Sequence, residues 1–393
     1  MTTKTEQFLQ ETAEVLKDNI LDFWLTLRDP RGGFYGEVLS SGEIQADAPR
    51  GVILNARIMW TFAAAWRRLR NPAYREAAEQ ARDWFLDHFF DPVYSGVYWS
   101  VTAAGEPMET KKQLYAQGFG IYGLSEVYKA TRDPRTLEAA IDLFQTTEAH
   151  FADPVNGGYI EALDRDFQPL EDMSLSAHDI NADKTMNSHL HLMEAYANLY
   201  QVWSDPSLKS ALEQLIDLTC TRIMGPDGHL QLYFRRDWSV LPGAVSYGHD
   251  IETSWLLLEC AMATHDFTVV NRVRPYAAAL GKAGNEGLLP DGSMCYEKGL
   301  GDILDESRQW WVQAETVVGN LWLWKYHGDA AAADRAVACW NYIRDHLVDH
   351  AKGEWYWAIL PDGSPDVVNP KAGFWKCPYH NSRMCLEIMT LFE

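Results

Sequence analysis

The chain has 393 residues, 47% of them apolar, which is ample for one large core, and a formal charge of −21. That charge repels phosphate backbones and anionic lipid, and the one short basic cluster, Arg67-Arg68-Leu69-Arg70, ends a helix, so neither nucleic acid nor a membrane surface is an expected partner. The polar start Met1-Thr2-Thr3-Lys4-Thr5-Glu6, the lack of any apolar run of membrane-spanning length and six cysteines without a CxxC pair point to a cytoplasmic protein with no zinc clamp or redox motif.

A helical period covers about Glu6 to Leu27, with Phe8, Leu9, Val15, Leu16, Ile20, Phe23 and Trp24 on one apolar stripe. Asp29-Pro30-Arg31-Gly32-Gly33-Phe34-Tyr35 breaks it. The same punctuation returns at Asp91-Pro92 and at Asp153-Pro154, about 62 residues apart each time, with weaker echoes at Gly225-Pro226-Asp227-Gly228, Leu289-Pro290-Asp291-Gly292 and Lys352-Gly353-Glu354-Trp355. Six units follow, each a helix, a turn-rich segment that alternates like a short hairpin, and a second helix. No linker separates them. Twelve helices in six pairs predict an all-α (α/α)6 barrel over residues 1–393, with short β-hairpin segments on one face; an open helical solenoid is the alternative.

The second helices begin near Arg50, Lys112, Lys184, Tyr247, Arg308 and Pro378, and their first turns carry the unusual residues. Arg57 is a charge inside an apolar run. Tyr115 and Gln117 open the second unit, Asn187 and His191 the third, His249 and Glu252 the fourth, Trp311 and Glu315 the fifth, His380 and Arg383 the sixth. Residues three or four apart share a helix face, so Asn187 with His191, His249 with Glu252 and Trp311 with Glu315 each project together. In a closed barrel the six starts converge on one axis, whereas His189 points away from His191.

Plainer readings exist for single residues. His249 or His380 can simply cap a buried helix, and Arg57 can be an ion-pair partner of Glu252 or Glu315. His88, His150, His265, His327, His346 and His350 read as surface histidines. No HExxH, GxSxG or placed Cys/His pair appears, so neither a catalytic metal nor a covalent nucleophile is expected. Sixteen Trp, eighteen Tyr and fifteen Phe suit sugar rings, although such rings also fill cores.

Four motifs, Lys184-Thr185-Met186-Asn187-Ser188-His189-Leu190-His191-Leu192-Met193-Glu194-Ala195-Tyr196, Gly248-His249-Asp250-Ile251-Glu252, Trp310-Trp311-Val312-Gln313-Ala314-Glu315 and Trp375-Lys376-Cys377-Pro378-Tyr379-His380-Asn381-Ser382-Arg383, stand in one order along the chain. In them the sequence resembles the N-acylglucosamine 2-epimerase superfamily, and within it the enzymes that epimerise β-1,4-linked disaccharides. The resemblance implies an (α/α)6 barrel, without metal or nucleotide cofactor, that converts the reducing-end glucose of cellobiose or lactose to mannose, working as a monomer or weak homodimer. It implies His249 and His380 as the acid/base pair, with Arg57, Tyr115, Asp179, Asn187, His191, Glu252, Trp311 and Trp375 around the sugar. Glu315 joins them by sharing a face with Trp311.

The chemistry suits these residues. The C2 proton of an aldose becomes removable once the ring opens and C1 is a carbonyl, and histidine gives or takes protons near neutral pH. One histidine removes the proton to leave a cis-enediol(ate); the other returns a proton to the opposite face. Glu252 is expected to orient His249, and Arg57 with His191 to stabilise charge on O1 and O2. Protonation at C1 would give a ketose instead. The alternatives are an N-acylglucosamine 2-epimerase or mannose isomerase on the same barrel, a glycoside hydrolase or lyase, which needs two opposed carboxylates, and a non-catalytic sugar- or protein-binding member.

Overall fold

The computed structural model describes residues 3–176 and 179–393; Met1 and Thr2 of the polar start, and Ala177 and His178 beside Asp179, lie outside the described residues. The first helix, α1, runs through Thr3–Glu14, a wider π turn at Val15–Leu21 and a last turn at Asp22–Leu25, and buries Phe8, Leu16, Ile20, Leu21 and Trp24. There follow α2 (Val52–Leu69), α3 (Pro72–His88), α4 (Leu114–Thr131), α5 (Pro134–His150) and α6 (Met186–Tyr200). The remainder are α7 (Pro206–Leu218), α8 (Tyr247–Ala263), α9 (Phe267–Gly284), α10 (Trp310–His327), α11 (Ala330–Tyr342) and α12 (Tyr379–Leu391), with π turns extending α7 and α11.

The even-numbered helices form an inner ring. Each packs against the next, and α12 returns to α2, which closes an (α/α)6 barrel and removes the solenoid reading. The inner helices are apolar on nearly every side, as helices surrounded by protein must be. The odd-numbered helices wrap outside with one buried stripe each.

Local chemistry sets the boundaries. Each inner helix passes to its outer neighbour through a short turn, and the side chains of Asn71, Asp133, Asp205, Asp266 and Asp329 cap α3, α5, α7, α9 and α11 by accepting from backbone N–H groups two residues on. In α3, α5 and α7 proline fills the first helical position, where its missing N–H costs no hydrogen bond.

At the other end the repeated Asp-Pro turns perform a second task. The buried carboxylates of Asp29, Asp91 and Asp153 hold the backbone of their own turns and pair with Arg50 (2.6 Å), Lys112 (3.1 Å) and Lys184 (3.0 Å), the cations that open the strand before the next inner helix. Those two-residue strands pair with the hairpin of the following unit: Arg50–Gly51 with Ser100–Val101, Lys112–Gln113 with Ala162–Leu163, Lys184–Thr185 with Tyr233–Phe234, and Arg308–Gln309 with Ala358–Ile359, all antiparallel. Bridges from Val245 to Lys298 and from Val38 to Ala372 complete the circuit. This pairing moves four inner-helix starts about two residues beyond where sequence periodicity put them.

The fourth residue of four inner helices fastens the hairpin outside it. Gln117 bonds both Val97 N (2.9 Å) and Val97 O (3.1 Å), His189 accepts from Tyr159 N (3.0 Å), Asp250 accepts from Leu230 N (2.8 Å), and Gln313 holds Met294 N and O (2.8 Å each). Gln117, singled out by sequence among the axial residues, is therefore a structural clamp, and His189 turns outward as expected. No helix among the described residues is long and apolar enough to cross a membrane.

Candidate active site

With the fourth residue spent on the hairpin, positions two or three and five or six of each inner helix turn to the axis. They deliver Arg57 from α2, Tyr115 from α4, Asn187 and His191 from α6, His249 and Glu252 from α8, Trp311 and Glu315 from α10, and His380 and Arg383 from α12.

At the centre is a guanidinium. Arg383 Nη2 donates to Glu252 Oε1 (2.7 Å) and Glu315 Oε1 (2.6 Å), while its Nη1 contacts Glu194 and the Tyr379 hydroxyl. Three buried carboxylates share this one cation, so they cannot all ionise. Burial alone would raise Glu194, yet Arg383 and His191 hold it down at about 2. Glu315 is raised by burial but accepts from Trp255 Nε1 (3.0 Å) and His380 Nδ1 (2.7 Å), which favours its charged form. Glu252 is raised furthest, by burial and by the neighbouring Glu315, and its Oε2 has no protein partner. Of the three, Glu252 is the carboxyl whose surroundings most favour the protonated form.

The histidines depend on this network. His380 Nδ1–H donates to Glu315, and His191 Nδ1 lies 2.9 Å from Glu194 Oε2; a carboxylate at Nδ1 leaves Nε2 bare in the neutral ring. His249 Nδ1 instead meets the hydroxyl of Ser246 at 2.7 Å. Burial pushes His249 down to about 3, and burial with Arg57 and Arg383 nearby pushes His380 well below its usual range. Burial thus favours the neutral form of all three rings, the form that can accept a proton.

Several expectations change here. Glu252 does not orient His249: its carboxyl bonds Arg383 and lies 3.9 Å from His380 Nδ1. The shared helix face was read correctly, but Arg383 claims Glu252, and Ser246, one turn before His249, is nearer its ring. Arg57 pairs with neither Glu252 nor Glu315. Its Nη2 donates to Tyr115 Oη (2.9 Å), its Nη1 faces Cys377 Sγ at 3.8 Å, and its charge lies over the rings of Phe119 (4.3 Å) and Tyr379 (5.0 Å). Neither His249 nor His380 caps its helix, and Pro378 stands just before the helical residues of α12.

Trp311 lies between the histidines, with ring centroids 4.7 Å from His249 and 5.8 Å from His380. Gly248 makes this possible, because a Cβ there would sit 2.8 Å from the indole. Trp310 is buried against Trp357 (4.7 Å) and beneath Lys376. Trp375 forms the opposite wall with Trp99 (5.8 Å), Phe374 (5.1 Å) and Tyr115 (6.0 Å). Asn187 Oδ1 is buried without a partner. Asp179 is on the rim, outside this ring, accepting from Ser176 Oγ (2.6 Å) and Tyr233 Oη (2.9 Å).

Glu194, Tyr379 and Ser246 stand within the stretches that the sequence singles out but received no role there. His191 and Glu194 carry the same three-residue spacing as His249 and Glu252, and that signal finds the true pair. Arg383 was noticed but given no role. Among the described residues Glu252, Glu315 and His380 offer ligand atoms within 4.8 Å of one another, the spacing of a metal site, but Arg383 Nη2 occupies the space between the two carboxylates. Behind Arg383 and Glu194, at the far ends of the inner helices, lies a separate cavity of about 410 Å³ bordered by Glu259 and Glu387.

A closed helical barrel whose inner-helix starts gather neutral histidines, a paired arginine and two indole walls is the frame of a carbohydrate-active protein. The profile of the N-acylglucosamine 2-epimerase (GlcNAc 2-epimerase) family matches residues 33–382, and the chain belongs to that family. It is 47% identical to a cellobiose 2-epimerase of Bacteroides fragilis over 97% of this chain and 98% of that one. Solved cellobiose 2-epimerases of Spirochaeta thermophila and Bacillus thermoamylovorans superpose with TM-scores of 0.93, at 38% and 36% identity, covering 99% and 98% of this chain and 98% and 99% of theirs.

Proposed function

We propose that the protein is a carbohydrate 2-epimerase that interconverts glucose and mannose configurations at the reducing end of β-1,4-linked disaccharides, turning cellobiose into glucosyl-mannose and lactose into epilactose. The observation that carries this reading is the pair of histidines, half-buried His249 from α8 and buried His380 from α12, both packed against Trp311.

Substrate enters as a closed hemiacetal, and ring opening needs a proton moved between O1 and O5. His191, backed by Glu194, takes the proton from O1 and returns it to O5, and the fixed charge of Arg57 holds negative charge on O1 and O2. The C2–H bond then breaks toward one histidine, its electron pair forming the C1–C2 double bond of a cis-enediol(ate). Rotation about C2–C3 presents the other face, and the second histidine delivers to C2 a proton it has taken from water, while the first releases to water the proton it removed, so both rings end neutral. Glu315 stabilises the imidazolium of His380. Trp311 and Trp375 flank the sugar, with Asn187 Oδ1, Tyr115 and the rim carboxylate of Asp179 as hydrogen-bonding partners.

A hydrolase is disfavoured because Glu194, Glu252 and Glu315 converge on one guanidinium instead of facing each other across a glycosidic bond. The test is chelator-treated protein with cellobiose in deuterated water, followed by NMR. Mannose-configured reducing ends with deuterium at C2, lost in His249→Ala and His380→Ala, are expected. Free glucose would establish a hydrolase, and unchanged disaccharide with conversion of N-acetylglucosamine or mannose would move the substrate to a monosaccharide.

A further inference from the structure

Ser246 stands at the N-cap of α8, where a serine normally turns its hydroxyl onto a backbone N–H of the first helical turn. Thr185, in the same place on α6, does so with Ser188 N at 3.1 Å. Ser246 makes no capping bond. The residue is buried and its Oγ lies 2.7 Å from His249 Nδ1. The cap is forgone in favour of one imidazole.

The contrast with the other two site histidines is chemical. His191 and His380 each place a carboxylate at Nδ1, which fixes the Nδ1–H tautomer and compensates the charged ring. A hydroxyl orients a ring equally well, accepting from Nδ1–H or donating to bare Nδ1, but adds little to the charged form. The other groups that act on His249 are His191 from α6, which opposes its protonation, and Glu315 from α10, which favours it and is itself committed to Arg383 and His380.

We propose that Ser246 is a positioning residue for the reaction, holding His249 Nε2 toward substrate C2 while leaving the His249 imidazolium without a charged partner. The two histidines are then unequal by construction. His380 has the Glu315 carboxylate at Nδ1 and the cations Arg57 and Arg383 opposing its protonation, whereas the His249 imidazolium has only a hydroxyl at Nδ1 and surrenders its proton to the enediolate carbon readily. The proposal rests on the reading of His249 as a proton-transfer group.

The test is kcat and KM on cellobiose from pH 4.5 to 9.5, with Tm, for the unaltered protein and for Ser246→Ala, Ser246→Thr and Ser246→Asp. Ser246→Ala is expected to lower kcat about 10-fold or more with KM within about twofold, and Ser246→Thr to recover most of the loss. Ser246→Asp is expected to move the alkaline limb of the kcat profile, set by the group that must carry the proton, upward by about one pH unit, because a carboxylate now supports the imidazolium. The proposal falls if Ser246→Ala keeps kcat within twofold, if its loss follows only the loss of folded protein, or if Ser246→Asp leaves the limb in place. Activity retained in His249→Ala would instead remove the underlying reading, and the proposal with it.

Discussion

Replacing Glu315 by Gln preserves shape and removes one charge from the point where the network meets the reaction. Glu315 Oε1 accepts from both His380 Nδ1 (2.7 Å) and Arg383 Nη2 (2.6 Å). A charge-assisted bond contributes about 1.5–3 kcal/mol and a neutral one about 0.5–1.5, so the imidazolium of His380 loses about 1–2 kcal/mol of support. A glutamine can also donate to Nδ1 from its amide, and that stabilises the wrong tautomer, with Nε2 already protonated. The comparable change in a Ser-His-Asp triad costs about 10⁴ in kcat. We therefore expect Glu315→Gln to lower kcat on cellobiose about 10²–10⁴-fold, with KM changed much less, and to move the acidic limb of the profile to lower pH. Stability should hold, because Glu252 can surrender its proton and take the charge opposite Arg383. Steady-state kinetics across pH, with Tm as control, measure both. A kcat within threefold of the unaltered protein would refute the assignment of Glu315 as the group that makes His380 a base.

Burial depresses His249 to about 3 and His189 to about 4, while both ionise near 6.5 when unfolded, so the unfolded state takes up protons first as pH falls; about 1.4 kcal/mol is lost per histidine per pH unit below 6.5. Tm should fall steeply from pH 6.5 toward 4, and a flat Tm there would contradict this burial. At the far cavity Glu259 and Glu387 have carboxyls raised by burial, and Glu259 by its neighbour as well, to about 8 and 7, so folding loses stability as pH rises from about 4.5 to those values; Glu259→Gln with Glu387→Gln should raise Tm at pH 8.5 and leave it nearly unchanged below pH 5. Trp311→Ala should cut kcat/KM on disaccharide at least about 10-fold with a modest change in Tm, whereas Trp310→Ala should cost about 3–5 kcal/mol of stability measured by denaturant unfolding.

The barrel was legible because its evidence is periodic. Six returns of a turn motif and six helix pairs survive any single misreading, and α12 meeting α2 follows once the inner helices are apolar all round. Most of the axial residues were legible for the same reason, since a polar side chain in the first turn of an otherwise apolar helix has few places to point. Pairing was harder to read. His249 with Glu252 and His191 with Glu194 have identical spacing, yet only the second pair bonds, because Arg383, 131 positions along the chain from Glu252, outcompetes a neutral imidazole for that carboxylate. The same limit explains Arg57, whose expected acidic partners were already taken by Arg383, leaving it aromatic faces, a phenol and a thiol. Helical period therefore shows which side chains reach the axis, while the charge balance of all that arrive there decides which of them bond. With three carboxylates and one guanidinium at the centre, one proton has to stay on a carboxyl. Glu252 is the carboxyl whose surroundings most favour it, with Glu315 left to support His380, an arrangement visible only when residues from four helices are considered together.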